Sequence, residues 1–480
     1  MTPTTTPDAL ITRRGMGITI ALTAAIVGVV YGYDTGSIAG ALLFVPAQFS
    51  LSTTATEWIT TFTGLGLIVG ALLANRIADR FGRKPAMVLI ALGFTIFAIL
   101  QAVAQDIVWL DATRFFLGVS IGISTVAAPV FIAESSPVPI RGALIVGYQV
   151  ATVAGIMVAY FADWALAGSG SWRLMLGLSA IASGLVLIVL LRLPDTPRWY
   201  VMRGRRDDAV RTLQLVDPET DPEEAVREIE NDLGAESGGK LHEMLRLPYA
   251  RPTLFVLVLG FLVQITGINA ITYYSPFIFH DIGWSGHSVL LIQALIEVFS
   301  VLATVAAVLL VDRIGRRLTL LIGVGVMIAS NALMVVLYAL GSRFGGVRSV
   351  LGFIGILFFT AGFNFGFGAM VWVYASESFP ARLRTAGASV MLTADLVANL
   401  LISRFFLTVL QGMGGEGTFA LFLGLAVFSF VFIAWMAPET KGRPLEAIRV
   451  YWENGGRWTP KPGTPARREA GRRPGSAVAR

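Results

Sequence analysis

Apolar runs of about twenty residues follow one another along this chain, and that repetition leaves few folds open. A run of that length crosses the hydrocarbon of a bilayer as a helix. With no water there to satisfy backbone groups, helices are the economical way to span. About twelve runs can be read, at roughly 17–44, 57–76, 86–104, 109–133, 143–166, 172–193, 252–279, 287–311, 317–340, 350–377, 384–411 and 417–437. A content of 55% hydrophobic and 14% charged residues over 480 positions agrees with an all-α, polytopic membrane protein. The short alternating segments of a membrane barrel are absent. Arg13 and Arg14 precede the first run as in a signal peptide, but the run is too long and too many follow it, so it reads as a retained first helix.

Loop charges set an orientation. One set of loops holds Arg76, Arg80, Arg83 and Lys84, then Arg141, the middle segment, Arg313, Arg316 and Arg317, Arg382 and Arg384, and the tail. The other set holds only Arg343 and Arg348. Both termini are therefore expected in the cytoplasm, with the chain in the plasma membrane. The net charge of +6 is read as basic cytoplasmic loops and not as a nucleic-acid surface. The expected parts are a cytoplasmic N-terminus (1–16), a six-helix bundle (17–193), a cytoplasmic linker with short helices (194–251), a second six-helix bundle (252–437) and a cytoplasmic tail (438–480), disordered after about 458. Within the linker, Asp207 to Leu213 and Pro222 to Leu233 have helical composition.

The first run carries one carboxylate, Asp34. A charge at membrane depth costs about 2.5–3.5 kcal/mol on insertion scales. Gly28, Gly32, Gly36 and Gly40 fall near one face, where a neighbouring helix can come close. Asp34 points the other way, as a structural acid or as a proton or ion site. The two halves also repeat. Asp79-Arg80-Phe81-Gly82-Arg83-Lys84 follows the second run, and Asp312-Arg313-Ile314-Gly315-Arg316-Arg317 follows the eighth. Glu134, Pro137 and Arg141 follow the fourth run with the spacing of Glu377, Pro380 and Arg384 after the tenth. Pro194-Asp195-Thr196-Pro197-Arg198 closes the sixth, and Pro438-Glu439-Thr440-Lys441-Gly442 closes the twelfth.

These motifs, with Gly32-Tyr33-Asp34-Thr35-Gly36, Gly267-Ile268-Asn269 and Tyr273-Tyr274, resemble the major facilitator superfamily and, within it, the sugar porter family, over about Gly17 to Glu446. The resemblance implies two pseudo-symmetric six-helix bundles. It also implies alternating access at a central site between halves that rock, which is that superfamily's known arrangement. The substrate class it implies is a sugar or polyol, and proton symport is favoured by an acid at Asp34, where animal facilitators often carry Asn. Arg114 is the expected partner: at 1.5 Å per residue, both residues fall in the outer half of their spans. Paired, the carboxylate stays ionised; separated, it takes a proton. The rival is a permanent salt bridge.

A sugar presents hydroxyls and apolar faces, which suit amides and aromatics. The resemblance implies Gln149, Gln264, Asn269, Tyr273, Ser300, Trp372, Asp395 and Asn399 as substrate-binding positions, with satisfied interhelical contacts as the alternative for each. Gly267 and Pro276 let the seventh span break. Several positions depart from the family: Val263 precedes Gln264, Ser300 and Asp395 stand where amides are usual, Ala369 follows Gly368, and Leu396 replaces a Trp. Gln293, Glu297, Ser300 and Thr304 share one face of the eighth span, which should line a cavity. Glu297 and Asp395 are two further acids, for a cationic substrate, a second proton or, for Glu297, a neutral helix contact. The resemblance further implies a cytoplasmic gate of ion pairs from Asp79, Arg80, Arg83, Glu134, Arg141, Asp312, Arg313, Arg316, Glu377 and Arg384, although topology alone accounts for part of that charge.

No cysteine is present, which excludes disulfides and thiol chemistry. His242, His280 and His287 lack metal-ligand spacing, and Gly64, Gly66 and Gly70 make no dinucleotide fingerprint. No enzyme, cofactor or metal is expected; the proton is the coupling ion, and the chain is expected to act as a monomer. The rivals are a facilitator, an exporter of another small metabolite, and a transporter-like nutrient sensor.

Overall fold

A computed structural model describes residues 7–137, 140–217, 220–236, 241–284, 286, 288–340 and 345–458. Every described element is helical. Among the described residues ten helices are long and apolar enough to cross a membrane, and the last, Arg382–Met436, is 55 residues long. At about 1.5 Å per residue that is far longer than a bilayer is thick. It is two helices, separated at Gly414 by a backbone of φ 69° and ψ 176°. With Pro7–Ala41, twelve membrane-length segments result. They are numbered α1 (Pro7–Ala41), α2 (Thr53–Phe81), α3 (Arg83–Ala102), α4 (Ile107–Ser135), α5 (Arg141–Ala167), α6 (Trp172–Arg192), α7 (Ala250–Asp281), α8 (Ser288–Ile314), α9 (Arg316–Ala339), α10 (Val347–Glu377), α11 (381–413) and α12 (415–436).

The helices overrun the apolar runs where polar residues continue the turn. The first begins at Pro7 and not near Gly17, and α2 continues through Arg80 to Phe81 before Gly82 breaks it at φ 120°. The linker carries helices Arg206–Val216 and Pro222–Glu236, slightly longer than composition suggests. The tail beyond 458, Arg343 and His287 lie outside the described residues. Two spans are not simple rods. α7 breaks at Gly267 (φ 104°) and again at Tyr274 (φ −115°, ψ 16°), just before Pro276. α10 holds a π-helical turn at Asn364–Gly368, a local irregularity often found at functional positions.

Close backbone approach holds each half together. A Cβ built on Gly32 would sit 1.9 Å from the Thr152 carbonyl oxygen, so α1 and α5 touch almost backbone to backbone. Gly118 and Gly122 of α4 meet the carbonyls of Thr63 and Leu67 on α2 in the same way. The pairing pattern of the first six helices recurs in the last six. α1 on α5, α2 on α4, α3 on α4 and α3 on α6 are matched by α7 on α11, α8 on α10, α9 on α10 and α9 on α12. The halves meet mainly along two seams, α2 with α11 and α5 with α8, and α1 also touches α7. Shifting each helix number by six exchanges those seams, so they are symmetry mates.

Gly32→Ala is expected to destabilise the purified protein by about 1–3 kcal/mol, because no side chain can yield at that contact. Gly142→Ala, where nothing lies within 4 Å of the new methyl, is expected to be neutral or slightly stabilising. Thermal unfolding in detergent measures both, and equal melting temperatures would show that the α1–α5 approach is not limiting.

Candidate functional site

The end of the molecule carrying the Arg-rich loops is called here the basic end, and the opposite end the far end. α1 runs from basic to far and α4 runs back, which brings Asp34 beside Arg114. Arg114 Nη1 donates to Asp34 Oδ1 at 2.9 Å, and each side chain is only 2% exposed. The contact is a single hydrogen bond. Asp34 Oδ2 and Arg114 Nε have no partner among the described residues. Arg114 Nη1 also reaches Gln101 Oε1 on α3 at 3.4 Å, and Asp111 lies one turn before Arg114 on α4. Gln101 and Asp111 were not singled out from sequence, since a lone amide or acid at a helix end has no periodic signature.

A second polar cluster forms where α7 meets α11. The helix break at Gly267 turns Asn269 back, so that its Nδ2 donates to both Gln264 Oε1 and Asn399 Oδ1 at 2.9 Å. Ser403 Oγ, one turn along α11, donates to Asn399 Oδ1 at 3.3 Å. Asp395, one turn the other way, is within hydrogen-bonding reach of Gln264. Tyr273 reaches Asn399. Tyr31 on α1 lies in electrostatic range of Tyr273, Asp395 and Asp34, so one phenol stands between the two clusters. Gln149 is half-buried on α5, and Trp372 is 40% exposed on α10. Among the described residues no hydrogen bond joins either to the amides. Ser300 is fully buried and returns its hydroxyl to the Ile296 carbonyl.

The face of α8 expected to line a cavity is closed. Gln293, Glu297, Ser300 and Thr304 are at most 2% exposed, which leaves no room for water beside them. Gln293 Nε2 donates to Glu297 Oε1 at 3.1 Å, and Thr304 Oγ1 donates to Asn364 Oδ1 at 3.4 Å. The physical reason is the α5–α8 seam, where Leu290 and Ala294 pack with Ala39, Tyr160 and Met175.

The far end is shut by polar contacts between the halves. Glu57, in the second turn of α2, is completely buried. It accepts from Arg404 Nη1 at 2.8 Å and from Thr408 N and Oγ1 at 2.7 and 2.8 Å, all on α11. The Arg404 guanidinium also lies 4.9 Å from the Trp58 ring centre. Thr60 Oγ1 and Tyr274 Oη are 2.6 Å apart, and Tyr160 donates to the Thr272 carbonyl. Sequence reasoning missed this set. Arg404 inside an apolar run was the available signal, by the same logic that marked Asp34.

At the basic end the expected gate residues pair differently. Arg83 contacts Asp79 at 3.0 Å and Glu134 at 3.1 Å, and Glu134 also faces Arg198 and accepts from Thr196 Oγ1 at 2.6 Å. Arg316 pairs with Asp312 at 2.8 Å. Arg80, Arg141 and Arg313 are exposed, and Glu377 Oε2 and Arg384 Nε lack partners. Among the described residues, these ion pairs stay within one half and none joins the two bundles. The reason is geometric: the halves touch at the far end, so their basic ends do not meet. The loop motifs have another use. Asp195 Oδ1 accepts from the backbone N–H groups of Arg83 and Lys84, both at 3.0 Å, at the start of α3. Glu439 accepts from those of Arg316 and Arg317, at 3.0 and 3.2 Å, at the start of α9. Each acid satisfies the free donors of a helix N-terminus. Burial pushes the Asp195 carboxyl above its ordinary range, while the N–H donors of Lys84, Thr196 and Arg83 pull it back.

A profile of the family described as "Sugar (and other) transporter" matches residues 20–452. The arabinose-proton symporter of Bacillus subtilis (strain 168) is 32% identical over 457 residues, spanning 93% of this chain and 98% of its own. The galactose-proton symporter of Escherichia coli (strain K12) is 31% identical over 438 residues, spanning 91% and 94%. A proton:xylose symporter of the major facilitator superfamily, solved with 6-bromo-6-deoxy-D-glucose, superposes with a TM-score of 0.76 at 26% identity, spanning 92% of this chain and 99% of that one.

Asp195→Ala and Glu439→Ala are each expected to cost about 0.5–2 kcal/mol, as lost helix caps do. Asp312→Ala, whose side chain is 80% exposed, is expected to cost about 0–1 kcal/mol. Thermal unfolding of the three purified variants checks the order; a larger loss for Asp312→Ala would refute the capping role.

Proposed function

The chain belongs to the sugar porter family of the major facilitator superfamily, whose members are transporters, and on that premise we propose that it couples inward movement of a sugar or polyol to that of a proton. The observation that carries the reading is the buried Asp34–Arg114 pair, joined by one hydrogen bond and holding one carboxylate oxygen in reserve. An ionised carboxylate in a dry bundle needs its cation. When rocking of the halves draws Arg114 away, a proton replaces it, and the proton follows the cycle because the two states answer the charge differently. Gln264, Asn269 and Asn399 offer amide donors and acceptors to hydroxyls, with Tyr273 from α7, Gln149 from α5, Trp372 from α10 and Ser300 from α8 as further contacts.

In this reading the basic end faces the cytoplasm, both termini lie there, and the membrane is the plasma membrane. Residues 17–193 and 252–437 are the two moving bodies, joined by the linker 194–251, and one chain suffices. The state described is closed outward. Glu57, Arg404 and Thr408 hold the α2–α11 seam, and Tyr160 secures α5 to α7. The basic-end charges from Arg80 to Arg384 engage across the halves only when the inward side closes.

Asp34→Asn is expected to abolish accumulation against a gradient in proteoliposomes while leaving substrate exchange intact, since the amide holds the site but carries no proton. Undiminished accumulation would sink the proton role. Wild-type protein that moves sugar without alkalinising the outer medium would make it a facilitator, and absence of any flux would make it a sensor.

Glu57→Ala is expected to open the outer side. Breaking a buried charged contact costs about 2–5 kcal/mol, and about 1.4 kcal/mol is tenfold in a population. The chain has no cysteine, so Ile59→Cys, fully buried in the native seam, gives a clean reporter. Its labelling by an impermeant maleimide from outside should rise more than tenfold in the Glu57→Ala background, and an unchanged rate would remove Glu57 from the gate.

A further inference from the structure

Each arginine at membrane depth in this protein already has an acid: Arg114 holds Asp34, and Arg404 holds Glu57. The remaining acids there have none. Asp163 is sealed behind Gly40, where an added Cβ would meet Asp163 Oδ2 at 2.3 Å, and it is fully buried. Glu297 is 2% exposed and meets the neutral Gln293 and Ser300, and Gln293 Oε1 is itself buried without a partner among the described residues. Asp395 differs from both. It lies on the α11 face that also presents Asn399 and Ser403, beside the α7 amides, and it keeps 8% of its surface open.

We propose that Asp395 sets the charge of the substrate, and that the central site takes a polyhydroxylated amine, such as an amino sugar or aminocyclitol, in preference to the neutral sugar of the same shape. The proposal rests on the transporter reading above and specifies its ligand. Around Asp395 stand Gln264 and Tyr273 from α7, Tyr31 from α1 and Asn399 from its own helix. Among the described residues none of its neighbours is a lysine, arginine or histidine within salt-bridge distance.

Neutral donors alone do not offset the cost of a buried carboxylate, which is several kcal/mol. A ligand ammonium docked against Asp395 supplies the missing positive charge and brings its own N–H donors. The amides a turn away suit the hydroxyls: Asn269 gives both of its N–H donors to Gln264 and Asn399, which fixes their carbonyls and leaves their NH₂ groups to Asp395 and Tyr273. The departures of the sequence from the family fit this polarity, with an acid at 395 where an amide is usual. A second coupling proton on Asp395 is the competing use of the same carboxyl, and it predicts the opposite preference.

The test is binding to the purified full-length chain, read by thermal shift and tryptophan fluorescence, near neutral pH, where the amine is still largely protonated. The probes are D-galactosamine and D-glucosamine, their neutral parents and their N-acetyl forms. Wild type is expected to bind at least one amine tenfold or more tighter than both its neutral relatives. Asp395→Asn should lose that preference, binding the amine no more tightly than the neutral parent, and an unchanged cooperative melting transition shows that the variant is folded. Asp395→Glu should keep it. Equal or tighter binding of the neutral parent by wild type, or a preference that survives in Asp395→Asn, overturns the proposal and leaves the sugar-transport reading standing. Binding of none of the probes overturns the proposal, and binding of a pentose or polyol in the same assay then keeps the sugar-transport reading apart from it.

Discussion

A charge inside an apolar helical bundle has to be answered where it stands, because neither water nor salt reaches it. That constraint organises this molecule more than any one fold element does. Arg114 answers Asp34 within the first half. Arg404, with a hydroxyl and a backbone amide of Thr408, answers Glu57 across the two halves. The first contact can serve chemistry inside one body. The second can exist only while the bodies touch, so it reports and biases the conformational state. Asp395 completes the set as an acid whose answer has to come from elsewhere.

Packing supplies the stage for those charges. In lipid, apolar side chains gain little by leaving their surroundings for one another, so close van der Waals contact must hold the helices. Glycine on α1 against α5, and on α4 against α2, lets backbones approach until no side chain fits between them. The same pairings recur in the second half, with Gly260 of α7 against the Met391 carbonyl of α11. Two bundles of like construction result, and the main seams between them, α2–α11 and α5–α8, are exchanged by the internal symmetry. Their chemistry does not follow that symmetry. One seam is tied by a buried carboxylate, while at the other Leu290 and Ala294 pack on Ala39 and Tyr160.

Much of this was legible in the sequence because it is periodic or motif-borne. The spans follow from apolar runs, the repeat from matched loops, and the Asp34–Arg114 approach from counting residues along antiparallel helices. The break in α7 was readable from Gly267 and Pro276. What escaped was set by tertiary contact. Glu57 lies in the second turn of an amphipathic-looking start, and nothing local says that α11 will bury it. Arg404 was masked by the apolar residues around it. The α8 face reads as cavity-lining by its polarity, yet the seam with α5 seals it. Asp195 and Glu439 stand in recognisable motifs, but that they cap α3 and α9 depends on loops folding back over more than a hundred residues.

The two ends of the molecule are held by unlike forces, and this bears on how a cycle can run. At the basic end the pairs include partly exposed ones such as Asp79 and Asp312, and exposed pairs are individually worth about 0–1 kcal/mol. At the far end one fully buried acid receives three donors. The state closed at the far end thus rests on a few strong contacts, and in the proposed cycle the opposite state draws on these weaker charges. A ligand moves such an equilibrium only by its difference in affinity for the two states. The proposed substrate site, with Asn269 and Tyr273 on the broken helix α7, lies on the same helix as Tyr274, which bonds Thr60 and the Ser403 carbonyl at the far-end seam. Ligand contacts on one stretch of α7 therefore pull on the contacts that close the seam, and the same break that shapes the site gives the helix the freedom to transmit that pull.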